Sequence, residues 1–143
     1  MTQDTILLVE DDADEATLAT MALKSSVTAD VVHVKDGAEA LTYLQAGHGE
    51  SGSPVFILLD LKLPKVTGIE VLKAVRAEPK TRLIPIVMLT NSRAEEDLTA
   101  AYVNGCNSYV RKQVDWVEFK ETIRQVGQYW VTLNARLPRR ASG

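Results

Sequence analysis

Residues 55–59, Val-Phe-Ile-Leu-Leu, are an unbroken apolar run that ends on Asp60 and turns away through Leu63-Pro64. Five apolar residues, bounded by Gly-Ser-Pro before and a charge after, are too few for a helix and fit a strand buried on both faces. Such a strand needs helices above and below it, which confines the chain to the α/β architectures with a parallel sheet. In open parallel sheets the working groups sit just past the carboxyl ends of the strands, so Asp60 is a functional candidate from its position. Taken alone, a strand-end Asp more often caps the turn that follows it. Its company has to decide.

Four further segments have the same form. Ile6–Val9 runs into Glu10, Asp11 and Asp12, Val31–Val34 is β-branched around His33, Ile86–Leu89 ends at Thr90, and Ser108–Arg111 ends at Lys112. Between them lie stretches of helical period. Residues 12–24 place Asp14 and Glu15 in a first turn, where the helix dipole favours anions. A second helix carries Ala40, Leu41 and Leu44 and closes at Gly47; a third opens at Lys65-Val66-Thr67-Gly68 and stops near Pro79. Ser92-Arg93-Ala94-Glu95 has the spacing of a capping box for a helix that carries Leu98, Ala101 and Tyr102 and ends at Gly105. Asp115 and Glu118 start the last helix. Strands alternating with helices over short connections predict a doubly wound α/β sandwich with a five-stranded parallel sheet. That arrangement puts Glu10, Asp11, Asp60, Thr90 and Lys112 on one edge.

Size and charge narrow the function. The chain has 143 residues, 45% hydrophobic and 24% charged, which predicts one domain over 1–143, with its core in 6–126 and a helix extension and tail in 127–143. A net charge of −3 disfavours nucleic acid and anionic membranes as partners. No apolar run approaches the ~18 residues of a membrane span, and the expected location is the cytoplasm. Cys106, without a His or Cys beside it, reads as structural. His33, in an apolar strand, and His48, in a glycine-rich loop without an acid partner, read as structural or solvent-exposed. Residues 46–54 read as a surface loop, and Arg136, Arg139 and Arg140 as a solubilising end.

Three carboxylates crowded at one sheet edge repel unless a cation neutralises them. All-oxygen ligands without His or Cys favour Mg²⁺, or Mn²⁺, with open positions for a phosphate oxygen. Phosphoryl transfer needs a nucleophile, charge neutralisation and hydrogen-bond donors for the equatorial oxygens. Asp60 would supply the first, Lys112 a point charge, and the Thr90 hydroxyl a movable donor.

From Ile6 through about Val126 the chain resembles a two-component response-regulator receiver domain: the acid pair falls on Glu10 and Asp11, the phosphoaccepting Asp on Asp60, Pro and Gly on Pro64 and Gly68, the switch pair on Thr90 and Tyr109, and the Lys on Lys112. The resemblance implies strand order 2-1-3-4-5 and phosphoryl transfer from a sensor histidine kinase to Asp60. It also implies a metal held by Asp11, Asp60 and the Lys62 carbonyl, with Glu10 acting through water. Such a protein is a phosphoacceptor that promotes its own phosphorylation and dephosphorylation, not an enzyme with a separate substrate. Within the family, the Glu-Asp pair, the Asp60–Lys65 segment and the ending Gly-Gln-Tyr-Trp-Val-Thr-Leu-Asn look like the stand-alone regulators that partner bacterial phytochromes. Output would then run through protein contact or phosphorelay. Gln113 stands where the family has a proline after the Lys, Asn91 where it favours a small residue, and Lys62 offers a long cation two residues past Asp60. An aspartyl phosphatase would need a second acid at the place of Lys62. A pseudo-receiver that binds proteins without taking phosphate is the alternative, supported only by Gln113 and Asn91.

Trp116, Phe119, Ile123, Val126, Trp130, Leu133 and Leu137 follow one another at steps of 3 and 4, the spacing of a helical seam. A helix from Trp116 to Leu133 is ~27 Å long, whereas a five-residue strand covers only ~17 Å. Trp130 and Leu133 are therefore expected to stand exposed in a monomer and to pair in a homodimer, with Val126 beside them. The competing expectation folds this end back over the domain through a bend at Gly127.

Overall fold

The strands that the apolar runs predict are β1 (Thr5–Val9), β2 (Asp30–Val34), β3 (Phe56–Asp60), β4 (Ile86–Thr90) and β5 (Ser108–Arg111). A computed structural model describes residues 4–46 and 53–138; the expectations for Gly47, His48, Arg139, Arg140 and most of the 46–54 loop lie outside the described residues. Helices α1 (Ala13–Ser26), α2 (Gly37–Gln45), α3 (Gly68–Ala77), α4 (Glu95–Val103) and α5 (Trp116–Gly127) alternate with the strands. The sheet is parallel throughout, in the order β2-β1-β3-β4-β5.

Successive residues of a strand point to opposite faces, and the two cores follow that alternation. Leu7, Val9, Ile57, Leu59, Ile86 and Met88 pack on one face against Ala40 of α2, Val71, Leu72 and Val75 of α3, and Ala101 of α4. Ile6, Leu8, Phe56, Leu58, Val87 and Leu89 pack on the other against Ala16, Ala19, Ala22 and Leu23 of α1 and Phe119 and Ile123 of α5. Both central strands β3 and β4 are buried along their whole length, which is why they read as unbroken apolar runs. Cys106 is buried in the first core.

Two helix starts differ from expectation. Ser92 does not cap α4: the N-cap is Ala94, with no side-chain cap bond. Ser92 is held two residues earlier, its N–H donated to Thr90 Oγ1 at 3.0 Å and its Oγ donated to Asp97. The reciprocal capping box lies on α3, where Thr67 Oγ1 accepts from Glu70 N–H and Glu70 Oε1 accepts from Thr67 N–H. That helix starts at Gly68 and not at Lys65, because Lys65 has a φ of 66°, in the left-handed region that no α-helix uses. On α4 Ala101 is buried while Tyr102 is half exposed.

The C-terminal end corrects a larger expectation. After α5 the chain continues as a π-helix, Gln128–Leu133, closed by Asn134 N–H on the Tyr129 carbonyl. A π-helix turns each residue by less than an α-helix does, so the apolar seam does not run straight off the domain. Trp130 packs on Phe56, ring centroids 6.5 Å apart, and joins the α1/α5 core. Its expected exposure is overturned. Leu133 is 73% exposed, as its position predicts, and Trp116, at the head of the seam, is 50% exposed. Gly127 is helical at φ −61°, ψ −46° and makes no bend. A Cβ there would lie 2.9 Å from Leu23 Cδ2, so the glycine lets α5 approach α1. Beyond the π-helix, Arg136 pairs with Asp4 at 3.2 Å.

Candidate phosphoacceptor site

The carboxyl ends of β1, β3, β4 and β5 carry the candidate residues, and two ladder bonds fix their places. Glu10 N–H donates to the Val34 carbonyl and Lys112 N–H to the Thr90 carbonyl, each extending a strand pairing by one residue. Glu10, Asp60, Thr90 and Lys112 are all buried at 7% exposure or less. Asp11, one residue past Glu10, is exposed.

One carboxylate oxygen from each of Glu10, Asp11 and Asp60 lies within 4.8 Å of the others. Asp60 Oδ1 accepts from the Lys62 N–H, and Glu10 Oε2 from the Asp12 N–H. Lys112 Nζ approaches Glu10 at 3.1 Å and Asp60 at 3.4 Å. The Thr90 hydroxyl accepts from Ser92 N–H and is thereby tied to the β4–α4 loop. A cleft of about 410 Å³ opens over these groups and is lined also by Lys62, Asn91 and Ser92. The α3 start comes so near that a Cβ on Gly68 would sit 2.4 Å from the Asp60 carbonyl oxygen; only glycine allows the Asp60 turn to pack there.

Burial sets the electrostatics. Desolvation and the Asp60 charge push the Glu10 carboxyl up to about 8 against the pull of Lys112. Burial likewise raises Asp60, again opposed by Lys112 and by the Lys62 N–H. Burial alone would lower Lys112, but its hydrogen bond to Glu15 and the charges of Asp60 and Glu10 override it and hold its proton more firmly. Two buried acids that resist ionisation beside a third carboxylate form a place where a divalent cation is favoured. The all-oxygen donor set fits Mg²⁺ or Mn²⁺.

Tyr109 lies half-buried against the α2/α3 core, with the Arg111 guanidinium 5.7 Å from its ring centroid. Its hydroxyl is buried without a hydrogen-bond partner. Gln113 and Asn91 are exposed. Two contacts escape the sequence. His33 Nε2 lies 2.7 Å from the Glu10 carbonyl oxygen; a carbonyl can only accept, so that nitrogen carries the proton. Glu15 reaches Lys112 Nζ at 2.5 Å, although its place in a helix first turn is fully explained by the dipole.

A five-stranded parallel sheet in this order, with an acid pair, a buried strand-end Asp, a Thr and a Lys at one edge, defines a phosphoacceptor domain of the receiver class. Residues 6–124 match the response regulator receiver domain, and the chain belongs to that family. It is 40% identical over 131 residues to a probable methanogenesis regulatory protein, FilR2, of Methanothrix harundinacea (strain 6Ac), covering 90% of this chain and 84% of that one. The crystal structure of the phosphorylated cyanobacterial phytochrome response regulator RcpA superposes with a TM-score of 0.87 at 34% identity, over 95% of this chain and 99% of that one. The Mn²⁺-bound form of response regulator Rcp1 does so with a TM-score of 0.86 at 32% identity, over 94% and 99%. No helix among the described residues is long and apolar enough to cross a membrane.

Proposed function

We propose that Asp60 accepts a phosphoryl group from the phosphohistidine of a phytochrome-type sensor kinase, and that the modified chain signals through protein contact or phosphorelay. The observation that carries this is the buried Asp60 carboxylate, 3.4 Å from Lys112 Nζ and grouped with the oxygens of Glu10 and Asp11. Glu10, Asp11, Asp60 and the Lys62 carbonyl would hold Mg²⁺ or Mn²⁺. When bound, the cation supplies neutralisation of the phosphoryl oxygens. A carboxylate oxygen of Asp60 attacks phosphorus, the P–N bond to the donor imidazole breaks, and its electron pair stays on that nitrogen. Lys112 clamps the transferred group as a point charge. The Thr90 hydroxyl gives up the Ser92 N–H and turns to donate to a phosphoryl oxygen. Tyr109, the second member of the switch pair, would follow that movement. The likeness to RcpA supports the phytochrome-type donor.

Incubation with acetyl phosphate and Mg²⁺, read by Phos-tag electrophoresis, tests the reading. The wild type is expected to shift and Asp60→Asn to remain unshifted, because an amide is no nucleophile and keeps the shape of the side chain. Labelling of Asp60→Asn would overturn the assignment. An unshifted wild type would leave a protein-binding pseudo-receiver.

A further inference from the structure

One carboxylate outside the strand ends shares Lys112 with the strand-end acids. Glu15 Oε1 is 2.5 Å from Lys112 Nζ, against 3.1 Å for Glu10 and 3.4 Å for Asp60. An ammonium has three donors, and Glu15 takes one of them from the side of α1. Local hydrogen bonds explain how Glu15 is free to make it. Asp12 and Glu15 have capping-box spacing, with Asp12 Oδ1 accepting from Glu15 N–H at 2.9 Å. In a complete box the Glu side chain returns to the N-cap N–H, but here Glu10 Oε2 already takes that N–H. The Glu15 carboxylate reaches Lys112 instead, from a turn whose backbone the cap has fixed. At 19% side-chain exposure it stands at the rim of the centre.

The geometry points to Glu15 as a positioning residue that shares the Lys112 charge with Asp60, and so sets the centre's preference between a divalent cation and an anionic phosphodonor. This deepens the receiver reading and rests on it. With the Glu15 charge removed, the Lys112 ammonium is less compensated and turns wholly toward Glu10 and Asp60. The centre then attracts a cation less and a phosphoryl anion more. These effects have opposite signs. A site merely loosened by the substitution would bind both more weakly.

The experiment uses the intact chain as Glu15→Gln and Glu15→Asp, with Mn²⁺ binding followed by electron paramagnetic resonance. Phosphorylation of Asp60 is followed against acetyl phosphate concentration at saturating Mg²⁺. Glu15→Gln is expected to raise the Mn²⁺ Kd by roughly tenfold, the size expected when one unit charge is lost near a divalent cation in a solvent-screened site. It should also lower the half-saturating acetyl phosphate concentration. Glu15→Asp keeps the charge and should stay within about twofold of wild type in both arms. Glu15→Gln matching wild type in both arms would overturn the inference, as would a weakening of both together. A wild type that binds Mn²⁺ yet takes no phosphate would defeat the receiver reading, while the Mn²⁺ arm still decides on Glu15.

Discussion

Glu10 and Asp60 bind protons more readily in the folded, metal-free chain than as free side chains, and this gives the centre a definite response to pH. The Glu10 carboxyl moves from 4.5 to about 8, and Asp60 shifts in the same direction. Between those values the folded state holds protons that the unfolded chain has released, so metal-free stability falls as pH rises through the window. A divalent cation takes the place of the protons. Its apparent affinity therefore rises with pH across the same window and levels off above about 8. Thermal unfolding in chelator should show Tm falling from the acid to the alkaline end of the window, with Mg²⁺ flattening the slope. A Tm that rises with pH in chelator would mean that the Glu10–Asp60 pair is not the dominant titrating unit.

At the scale of elements, Arg76 on α3 holds together the side of the sheet opposite the phosphoacceptor edge. Its Nε donates to the Gly105 carbonyl, Nη1 to the carbonyls of Arg82 and Ile84, and Nη2 to Asn107 Oδ1. Asn107 Oδ1 also accepts from the Ile86 N–H, so one guanidinium links α3 to the starts of β4 and β5. Arg76→Ala takes the guanidinium from two partly buried carbonyls, those of Gly105 and Ile84, and should lower stability by about 2–4 kcal/mol in urea denaturation, without changing Asp60 labelling. Arg76→Lys should recover little, since one ammonium cannot reproduce the planar fork. Nothing in the sequence announces this network, because its partners are mostly backbone carbonyls brought together by the fold. The strands were legible for the opposite reason. Runs such as Phe56–Leu59 and Ile86–Leu89 are buried on both faces, and their ends dictate where Asp60 and Thr90 stand. Helix starts were less so: Ser92-Arg93-Ala94-Glu95 and Thr67-Gly68-Ile69-Glu70 carry the same capping spacing, and only the tie of Ser92 to Thr90 separates them. Glu15 was hidden by a sufficient local explanation, and its link to Lys112 spans 97 positions.

For the molecule as a whole, the segment after α5 leaves an apolar surface open to solvent. Trp130 is partly sheltered by Phe56, which removes the bulkiest side chain from the expected exposed set. Leu133 and Leu137 remain 73% and 68% exposed, with Tyr129 at 46%. This apolar end lies by the amino ends of the strands, away from the Asp60 edge. We propose that it pairs with a second copy, with Leu133 at the centre and Val126 and the uncovered part of Trp130 beside it, since symmetric pairing would bury the apolar end and leave Asp60 open to a kinase. The contact with Phe56 makes the variants differ. Trp130→Ala uncovers Phe56 and should cost about 1–3 kcal/mol of stability besides weakening association. Leu133→Asp changes a residue already open to solvent and should leave the fold intact while moving the protein from dimer to monomer. In sedimentation velocity at micromolar concentration the wild type should run as a dimer and Leu133→Asp as a monomer that still labels on Asp60. A wild type that stays monomeric as concentration rises would defeat the pairing, and so would a Leu133→Asp variant that remains dimeric.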